Sequence, residues 1–254
     1  MGHEAKNPVQ SAVNTLNVVE ALRDLDGAGV SELAAHLDAP KSTVHNYLAT
    51  LEQEEYVVNE AGTYRVGLRF LELGAHARDR RELFSVAGPE VERLAAETGE
   101  LANLLVEEHG RGTYLRRVRG ENAVRVRARV GTRVPLHTTA LGKAILAFTP
   151  RERVEAILDR HGLERATPDT VAGREALYDE LEAVRERGHA LDDEERLEGL
   201  RCVAAPVLST DDRVLGAVSV SGPSSRIRGA RFREELPCEV EEAANVVELN
   251  VTYS

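Results

Sequence analysis

The segment APKSTVHNYLATL, residues 39–51, decides the fold of the first part of the chain. Val44, Leu48 and Leu51 are spaced i, i+4 and i+7, which places them on one side of an α-helix that starts near Lys41. The whole chain has a formal net charge of −11, yet this segment contains no carboxylate. The sequence therefore predicts a short helix with one apolar side and one polar side that is free of negative charge.

Two helices are predicted before this segment and a β-hairpin after it. Residues 10–25 form the first helix, whose apolar residues recur every three positions: Val13, Leu16, Val19 and Leu22. Ser31 is the predicted N-cap of the second helix, which places three residues inward: Leu33, Ala34 and Leu37. Two β-prone runs, at 57–58 and 64–66, flank a glycine-containing turn. This order of elements predicts a winged helix-turn-helix domain over residues 1–67.

The absence of carboxylates on the third helix has a physical reason if that helix binds DNA. Phosphates flank a recognition helix on both sides of the major groove, and negative charge there is repelled. Asn46 can pair with adenine, and hydroxyls at a helix start can bind phosphate. The predicted DNA contacts are Lys41, Ser42, Thr43, His45, Asn46 and Thr50 on the helix, with Arg65 on the hairpin. The alternative is a three-helix module used for protein contacts or dimerisation.

Length and composition limit the class of protein. The 254 residues are enough for two cores, and the hydrophobic content of 42% is that of a folded protein. We expect a cytoplasmic protein, because the sequence has no bilayer-spanning apolar run, no secretory leader and only two cysteines. Asp and Glu total 43, and only three lysines accompany 29 arginines. This balance favours a protein of a salt-rich, haloarchaeal-like cell; a GC-rich genome that favours arginine codons is the alternative.

The rest of the chain is predicted to be a helical linker followed by an α+β domain. Residues 68–83 continue as one helix, so we place the linker at 68–84 and the second domain at 85–254. Helices are expected at 89–98, 139–148, 150–160, 174–187 and 231–249. Strands are expected at 101–108, 113–120, 123–130, 189–191, 203–209 and 214–221. Helical segments at both ends of a run of neighbouring strands predict one antiparallel sheet.

Three motifs in this second domain can bind a small anion. Thr138 or Thr139 caps a helix whose first turn is small, which leaves backbone N–H groups open to an anion. Ser219 and Ser221 lie two apart on a strand and therefore share one face. Asp192 ends a strand, and Cys202 begins another. An ordinary capped helix packed on the sheet through Gly142, with Cys202 as a small core residue, is the alternative.

Together these segments resemble the IclR-type transcriptional regulators. The resemblance lies in VSELAAHLDAPKSTVHNYLATLEQEEYV (30–57), GTRVPLHTTALGKAILA (131–147), EGLRCVAAPV (198–207) and GAVSVSGPSSRI (216–227). It implies a winged helix-turn-helix joined to a GAF-like effector-binding domain, a homodimer or dimer of dimers, and repression or activation of a catabolic operon. The implied ligands are double-stranded DNA with a palindromic operator and a small organic or sugar acid, with no cofactor.

The resemblance also implies a set of effector-binding residues: Thr139, Ala140, Leu141, Asp192, Cys202, Ser219 and Ser221. Two positions depart from the family pattern. Leu141 stands near a position where many members have serine or glycine. Its larger side chain is expected to narrow that end of the pocket. Asn14 stands where an arginine of the first helix often contacts DNA.

Two other functions are considered for these residues. In an enzyme, Cys202 with a histidine would be a thiol nucleophile oriented by Asp192, but no nucleophile elbow or phosphate loop accompanies them. In a metal or redox sensor, Cys202 would act with His109, His137 or His189, which lack ligand spacing. Residues 111–133 hold eight arginines and one carboxylate, Glu121. This cluster is interpreted as a solvated face, with an anion-attracting rim or a tetramer contact as alternatives.

Overall fold

The computed structural model describes residues 5–253 and divides the chain into two compact units, one up to Arg78 and one from Asp79 onward. Within residues 5–253, no helix has the length and apolar character needed to cross a bilayer.

The first unit is a winged helix-turn-helix. Its helices are α1 (Gln10–Asp24), α2 (Val30–His36), α3 (Lys41–Gln53) and α4 (Arg69–Asp79). Strands β1 (Val57–Glu60) and β2 (Thr63–Val66) pair antiparallel. The turn between them has positive φ at both Ala61 (53°) and Gly62 (89°), which gives the twist that a two-residue hairpin needs. The core under α3 is formed by apolar residues of α1, α2, α3 and the hairpin: Val18, Leu22, Leu33, Val44, Leu48, Leu51, Val57 and Tyr64.

Three predictions for this part of the chain are wrong. On α1 the buried residues are Val18, Ala21 and Leu22, while Val13 and Leu16 are exposed. Three-residue spacing rotates backwards by about 60° per step on a helix of 3.6 residues per turn, so Val13 and Leu22 lie on opposite sides. Gly29, not Ser31, is the N-cap of α2, and its carbonyl accepts from the N–H of Leu33.

The predicted helix over residues 68–83 is interrupted. α4 ends at Asp79, and α5 (Glu82–Val86) follows an extended Arg81. The Arg81 guanidinium donates to the Glu108 carboxylate at 2.7 Å. This long-range ion pair accompanies the break in the helix. Helix propensity, which depends on neighbouring residues, does not predict the break.

The second unit is built on a six-stranded antiparallel sheet. The strands are β3 (Leu101–Glu108), β4 (Arg111–Arg119), β5 (Arg133–Pro135), β6 (Ala190–Asp193), β7 (Leu200–Leu208) and β8 (Val214–Pro223), in the order β5-β4-β3-β8-β7-β6. The helices are α5, α6 (Gly88–Thr98), α7 (Ala140–Ala147), α8 (Arg151–His161), α9 (Arg174–Arg187) and α10 (Leu236–Thr252), the last preceded by a π-helical turn (Arg231–Glu235). The predicted α+β class is confirmed.

Alternation along the strands separates two cores. Val203, Val218 and Val220 face α5, α6 and α10, whereas Cys202, Ala204 and Ala217 face α7, α8 and α9. The sheet is therefore the middle of three layers, and β8 presents Val218 and Val220 to one side and Ser219 and Ser221 to the other, as its alternation predicts.

The strand predicted at 123–130 is absent, although its alternation of arginine with apolar residues is strict. The edge of β4 is occupied instead by β5, with Arg111 opposite Pro135. Arginine side chains bind two carbonyls of the 123–130 segment: Arg119 donates to Ala123 at 3.0 Å, and Arg117 donates to Ala128. These side-chain bonds replace part of the ladder that a strand would need.

Candidate ligand pocket and nucleic-acid interface

The polar side of α3 is open to solvent, as its sequence predicts. Lys41, Ser42, His45, Asn46 and Thr50 are exposed and Thr43 is half-buried, while Val44, Leu48 and Leu51 are buried opposite them. No side chain of the described residues caps the first turn, which begins after Pro40. An uncapped helix start with hydroxyls and one ammonium group can bind phosphate.

Two of the predicted DNA contacts, Thr50 and Arg65, already have partners within the unit. The hydroxyl of Thr50 donates to the Asn46 carbonyl at 2.8 Å, within the same helix. Arg65 donates to the carbonyl of Asp26, and its Nε lies 3.5 Å from the Glu60 carboxylate. Arg65 thus contacts both a carbonyl and a carboxylate of the protein.

Asn14 supports α3 from the first helix. Its Nδ2 donates to the Tyr47 hydroxyl at 3.2 Å, and its Oδ1 accepts from Gln10 at 2.9 Å. The residue that departs from the family pattern therefore ties α1 to α3.

In the second unit, Thr139 caps α7. Its Oγ1 accepts from the Gly142 N–H at 2.9 Å, which leaves the N–H groups of Ala140 and Leu141 without a hydrogen-bond partner among the described residues. Only glycine fits at position 142, because the Cβ of any other residue would lie 2.0 Å from the Leu136 carbonyl oxygen. All eight residues of α7 are buried. The helix start thus has two open amides inside the protein.

The serines of β8 belong to a buried polar row on the α7 side of the sheet. The Asn103 side-chain amide donates to Ser219 at 3.1 Å and to Ser221 at 3.3 Å, and the Ser221 hydroxyl lies 3.1 Å from the Cys202 sulfur. Asn103 also accepts from Arg117 Nε at 3.0 Å. Hydroxyls in a core are costly without partners, and here each has one.

Asp192 continues the row, since it is directly opposite Cys202 in the β6–β7 pair. It is buried, and one carboxylate oxygen accepts from the backbone N–H of Glu195 (2.8 Å) and of Arg196 (3.3 Å). Burial, and secondly the Glu195 carboxylate, raise the pKa of Asp192 to about 7. Lys143 and the two backbone donors oppose this rise. Asp192 is therefore poised to gain or lose a proton near neutral pH.

A buried ion pair lies beside Asp192. The Lys143 side chain of α7 is 1% exposed, and its ammonium group donates to Glu195 and lies 3.5 Å from Glu180. The other Glu195 oxygen is buried and has no hydrogen-bond partner among residues 5–253. Burial raises the Glu195 pKa, and Lys143 opposes that rise. The pair fixes the loop whose amides hold Asp192.

Two cavities adjoin this polar face. One of 430 Å³ is lined by Arg117 and the 123–130 segment, and one of 530 Å³ is lined by Lys143, Glu195 and residues around His189. Residues 139–141 line neither cavity and are buried in the same core as Cys202. The structure thus gathers Asp192, Cys202, Ser219 and Ser221 in one row, and Ala140 and Leu141 at the start of α7 belong to the same core as Cys202.

Two of the three histidines considered as metal ligands, His137 and His189, have ring nitrogens bonded to other groups. His137 bonds the Glu164 carbonyl at 2.9 Å, His189 bonds the Glu241 carboxylate at 2.7 Å, and the carbonyl of His109 bonds His161 at 2.8 Å. The described residues contain no group of three or more His, Cys, Asp or Glu that could hold a metal ion. Burial raises the pKa of Cys202 to about 12, so its thiol is protonated at neutral pH and is a poor nucleophile.

Sequence reasoning missed Asn103, Arg117, Lys143 and Glu195. One signal was available: Asn103 is the only polar residue in the first six positions of LANLLVEE, and an amide in a buried strand needs partners. The other three depend on contacts between distant parts of the chain.

Comparison with known proteins decides the family. The model of the IclR helix-turn-helix domain matches residues 11–61, and that of the bacterial transcriptional regulator IclR C-terminal domain matches residues 75–249. The chain belongs to the IclR family. This IclR-family protein is a DNA-binding transcriptional regulator, which confirms the predicted class of function.

Relatives match along nearly the whole length of this IclR-family regulator. ArcR of Halobacterium salinarum, described as a probable HTH-type transcriptional regulator, is 35% identical over 96% of this chain and 94% of its own. XynR of Escherichia coli is 32% identical over 90% of this chain and 93% of its own, and the repressor AllR of the same species is 32% identical over 90% and 85%. These relatives are transcriptional regulators.

Solved structures agree. The Thermotoga maritima IclR superposes with a TM-score of 0.78 at 27% identity and covers 97% of this chain and 100% of its own. An IclR homologue from Microbacterium hydrocarbonoxydans in complex with 4-hydroxybenzoate gives 0.79 at 26% identity, over 94% of this chain and 100% of its own.

Proposed function

We propose that this IclR-family regulator senses a small organic or sugar acid in its second unit and thereby changes its affinity for a palindromic operator of a catabolic operon. The observation that carries the proposal is the buried polar row of Asp192, Cys202, Ser221, Ser219 and Asn103, on the sheet face that packs against α7. A relative that binds the acid 4-hydroxybenzoate supports this ligand class.

The open amides of Ala140 and Leu141 are the proposed carboxylate anchor. Backbone N–H groups at a helix start carry partial positive charge and favour an anion. Leu141 restricts the size of the group admitted there. Protonated Asp192 can donate a hydrogen bond to the same ligand, whereas ionised Asp192 would repel it.

Thermal-shift screening tests the sensing proposal. Hydroxy acids, keto acids, aromatic acids and sugar acids should include at least one that raises the melting temperature in proportion to the logarithm of its concentration. Ser219→Ala and Ser221→Ala should reduce this shift. Thr149→Ala, a threonine that bonds the Ile145 carbonyl at 2.8 Å at the other end of α7, serves as the control. Absence of any shift across the screen contradicts acid sensing.

The proposed DNA contacts are Lys41, Ser42, Thr43, His45, Asn46 and Thr50, with Arg65 on the hairpin. The exposed polar side of α3, which carries no carboxylate before Glu52 near its C-terminal end, supports the first six. A regulator that binds the genome acts where the DNA is, so we place it in the cytoplasm. The acidic composition and the Halobacterium relative favour a salt-rich cell.

A homodimer is the proposed minimal assembly, and a dimer of dimers is its extension. Three leucines are largely exposed in the single chain: Leu16 on α1 (61%), Leu68 just before α4 (84%) and Leu71 on α4 (68%). Exposed apolar surface of this kind favours an interface with a second protomer. A twofold dimer requires operator half-sites about one helical turn apart, or a multiple of it. Light scattering of the wild type and of Leu71→Glu measures whether α4 contributes to the interface.

A further inference from the structure

The arginine cluster of residues 111–133 lacks the acidic partners that a solvated face would have. Of its eight arginines, Arg116 alone lies within ion-pair distance of a carboxylate among the described residues, at 2.9 Å from Glu92. The chain has 43 acidic residues and 32 lysines and arginines, so partners are abundant elsewhere. An excess of unpaired positive charge in an acidic protein attracts anions.

Arg117 is the member of the cluster that reaches the polar row. Its Nε donates to Asn103, its Nη1 donates to the carbonyl of Ala128, and its guanidinium lies 5.0 Å from the centre of the Tyr114 ring. A guanidinium has five N–H donors, so three remain. Burial lowers the pKa of Arg117, and Arg119 and Arg196 add like-charge repulsion. This half-buried cation has no carboxylate partner in the described part of the chain.

The cavity next to Arg117 has the size and lining for a small diacid. Its volume is 430 Å³, and one part of its wall is apolar, formed by Leu101, Val124, Val126 and Val130. The guanidinium-bearing residues of the wall are Arg117, Arg119, Arg125 and Arg129. Arginine binds carboxylate through two parallel hydrogen bonds, and the apolar part suits a short carbon chain.

The register of the sheet connects this cavity to the serines. Ser219 pairs with Asn103, and Asn103 pairs with Arg117, so the guanidinium belongs to the second strand from Ser219. The Asn103 side chain bridges the two, since it lies 3.0 Å from Arg117 Nε and 3.1 Å from the Ser219 hydroxyl. A ligand that touches both ends needs an acid group at one end and a second polar end.

We propose that the effector is a small dicarboxylic acid, an aldaric acid included, whose second carboxylate binds Arg117 beneath the 123–130 segment. This inference rests on the proposed acid sensing and names the substrate class of the same site. Arg125 and Arg129 contribute positive charge at the cavity wall, and Asn103 positions the guanidinium.

Matched pairs of acids test the proposal on the full-length protein. Isothermal titration compares succinate with butyrate, malate with 3-hydroxybutyrate, glutarate with valerate, and an aldarate with the corresponding aldonate. In at least one pair we expect the diacid to bind ten times more tightly or better. Arg117→Gln should reduce that preference to within twofold, because it removes the cation that binds the second carboxylate.

One further substitution, with two matched controls, keeps the test informative if Arg117→Gln does not fold. Arg129→Gln changes an exposed residue of the cavity wall, and we expect it to reduce the preference for the diacid twofold to fivefold. Arg127→Gln, also exposed but outside the lining, is the matched control and should have no effect. Arg116→Gln is the control for Arg117, since Arg116 is bonded to Glu92 instead of the polar row.

The outcomes separate this inference from the proposed function. Equal affinity for monoacid and diacid in every pair, or an unchanged preference in Arg117→Gln and Arg129→Gln, overturns the dicarboxylate assignment while acid sensing stands. If none of the acids binds, and none raises the melting temperature in the wider screen, the proposed function itself fails.

Discussion

The side-chain amide of Asn103 donates a 3.1 Å hydrogen bond to the hydroxyl of Ser219, across the pair of strands β3 and β8. Both side chains are buried, and the same amide reaches Ser221. Residues 116 positions apart in the chain thereby form the centre of the polar row. The stability of the second unit and its ligand binding depend on the same bonds.

Asn103→Ala should destabilise the protein by about 1–3 kcal/mol, because it leaves buried hydroxyls and Arg117 without their partner. Urea denaturation measures the change. Ser219→Ala removes one of the buried hydroxyls and should destabilise the protein less than Asn103→Ala. The double variant should lose less stability than the sum of the two, since they share one interaction. Strict additivity contradicts a coupled row.

Asp192 should make the stability depend on pH. Its pKa of about 7 in the fold lies above the ordinary value of 3.8, so the folded state holds the proton more tightly than the unfolded state. The stabilisation that the protonated Asp192 carboxyl group gives to the folded state is complete below about pH 4 and is lost as the pH rises through 7. Between pH 5 and pH 8 the wild type should lose about 3 kcal/mol relative to Asp192→Asn, since each pH unit between 5 and the pKa of about 7 contributes about 1.4 kcal/mol.

Denaturation of both proteins at several pH values checks this sign. Asn at position 192 keeps an oxygen that accepts from the Glu195 and Arg196 amides but cannot titrate in this range. Glu195 and Lys143 face Asp192 and remain in both proteins, so the difference between the two curves isolates the Asp192 carboxyl group. A constant difference from pH 5 to pH 8 rules the prediction out.

Lys143→Met should cost about 3–5 kcal/mol, because it leaves the Glu195 carboxylate buried without its cation. Lys143→Met combined with Glu195→Gln removes both charges, so the double variant should be more stable than Lys143→Met alone. Thermal and urea unfolding give the comparison. If the second substitution worsens the first, the pair is not the reason for the loss.

Thr139→Ala should destabilise α7 by about 1 kcal/mol, since it removes the side-chain acceptor for the Gly142 N–H. Thr139→Ser keeps the hydroxyl and should retain most of the stability. The Thr149 hydroxyl bonds the Ile145 carbonyl at the end of the helix, and Thr149→Ala should destabilise the protein less than Thr139→Ala. Circular dichroism during urea titration measures all three.

Asn46→Ala should weaken operator binding by about tenfold or more, since a good bidentate contact to a base contributes about 1–3 kcal/mol. The melting temperature should stay the same, because Asn46 is exposed. Gln53→Ala, at the other end of α3 and also exposed, is the control. Fluorescence anisotropy with labelled operator DNA gives both affinities.

The salt dependence of operator binding should be shallow. Each phosphate neutralised by the protein contributes about −0.9 to the slope of log K against log salt. Lys41 is the only basic side chain besides the histidine on the exposed side of α3, and Arg65 is already bonded to Asp26. A steep loss of affinity across molar salt contradicts a contact surface of this kind.

Local patterns predicted much of the fold. The apolar spacing in residues 39–51 indicated α3 and its buried side, and the parity of Ser219 and Ser221 indicated their shared face. The same kind of reasoning failed at Val13, where three-residue spacing was taken for one helical face, and at residues 123–130, where alternation was taken for a strand. In the second case β5 pairs with the start of β4, and two arginine side chains bind carbonyls of the 123–130 segment.

The candidate site was only partly accessible to such reasoning. Asp192, Cys202, Ser219 and Ser221 came from motifs and from resemblance, whereas Asn103 and Arg117 became visible through the pairing of β3 with β4 and β8. A polar residue in a strand shows that partners are needed, but its spacing does not say which strand supplies them.

The sequence by itself determined the helix-turn-helix, the alternation of the strands and the small first turn of α7, because these depend on neighbours within a few residues. The tertiary structure alone decided that Asn103 joins Arg117 to the serines, that Lys143 is buried against Glu195, and that Asp192 titrates near neutral pH. Those properties arise from burial and from contacts between residues distant in the chain, and they exist only when the sheet and its helices have packed.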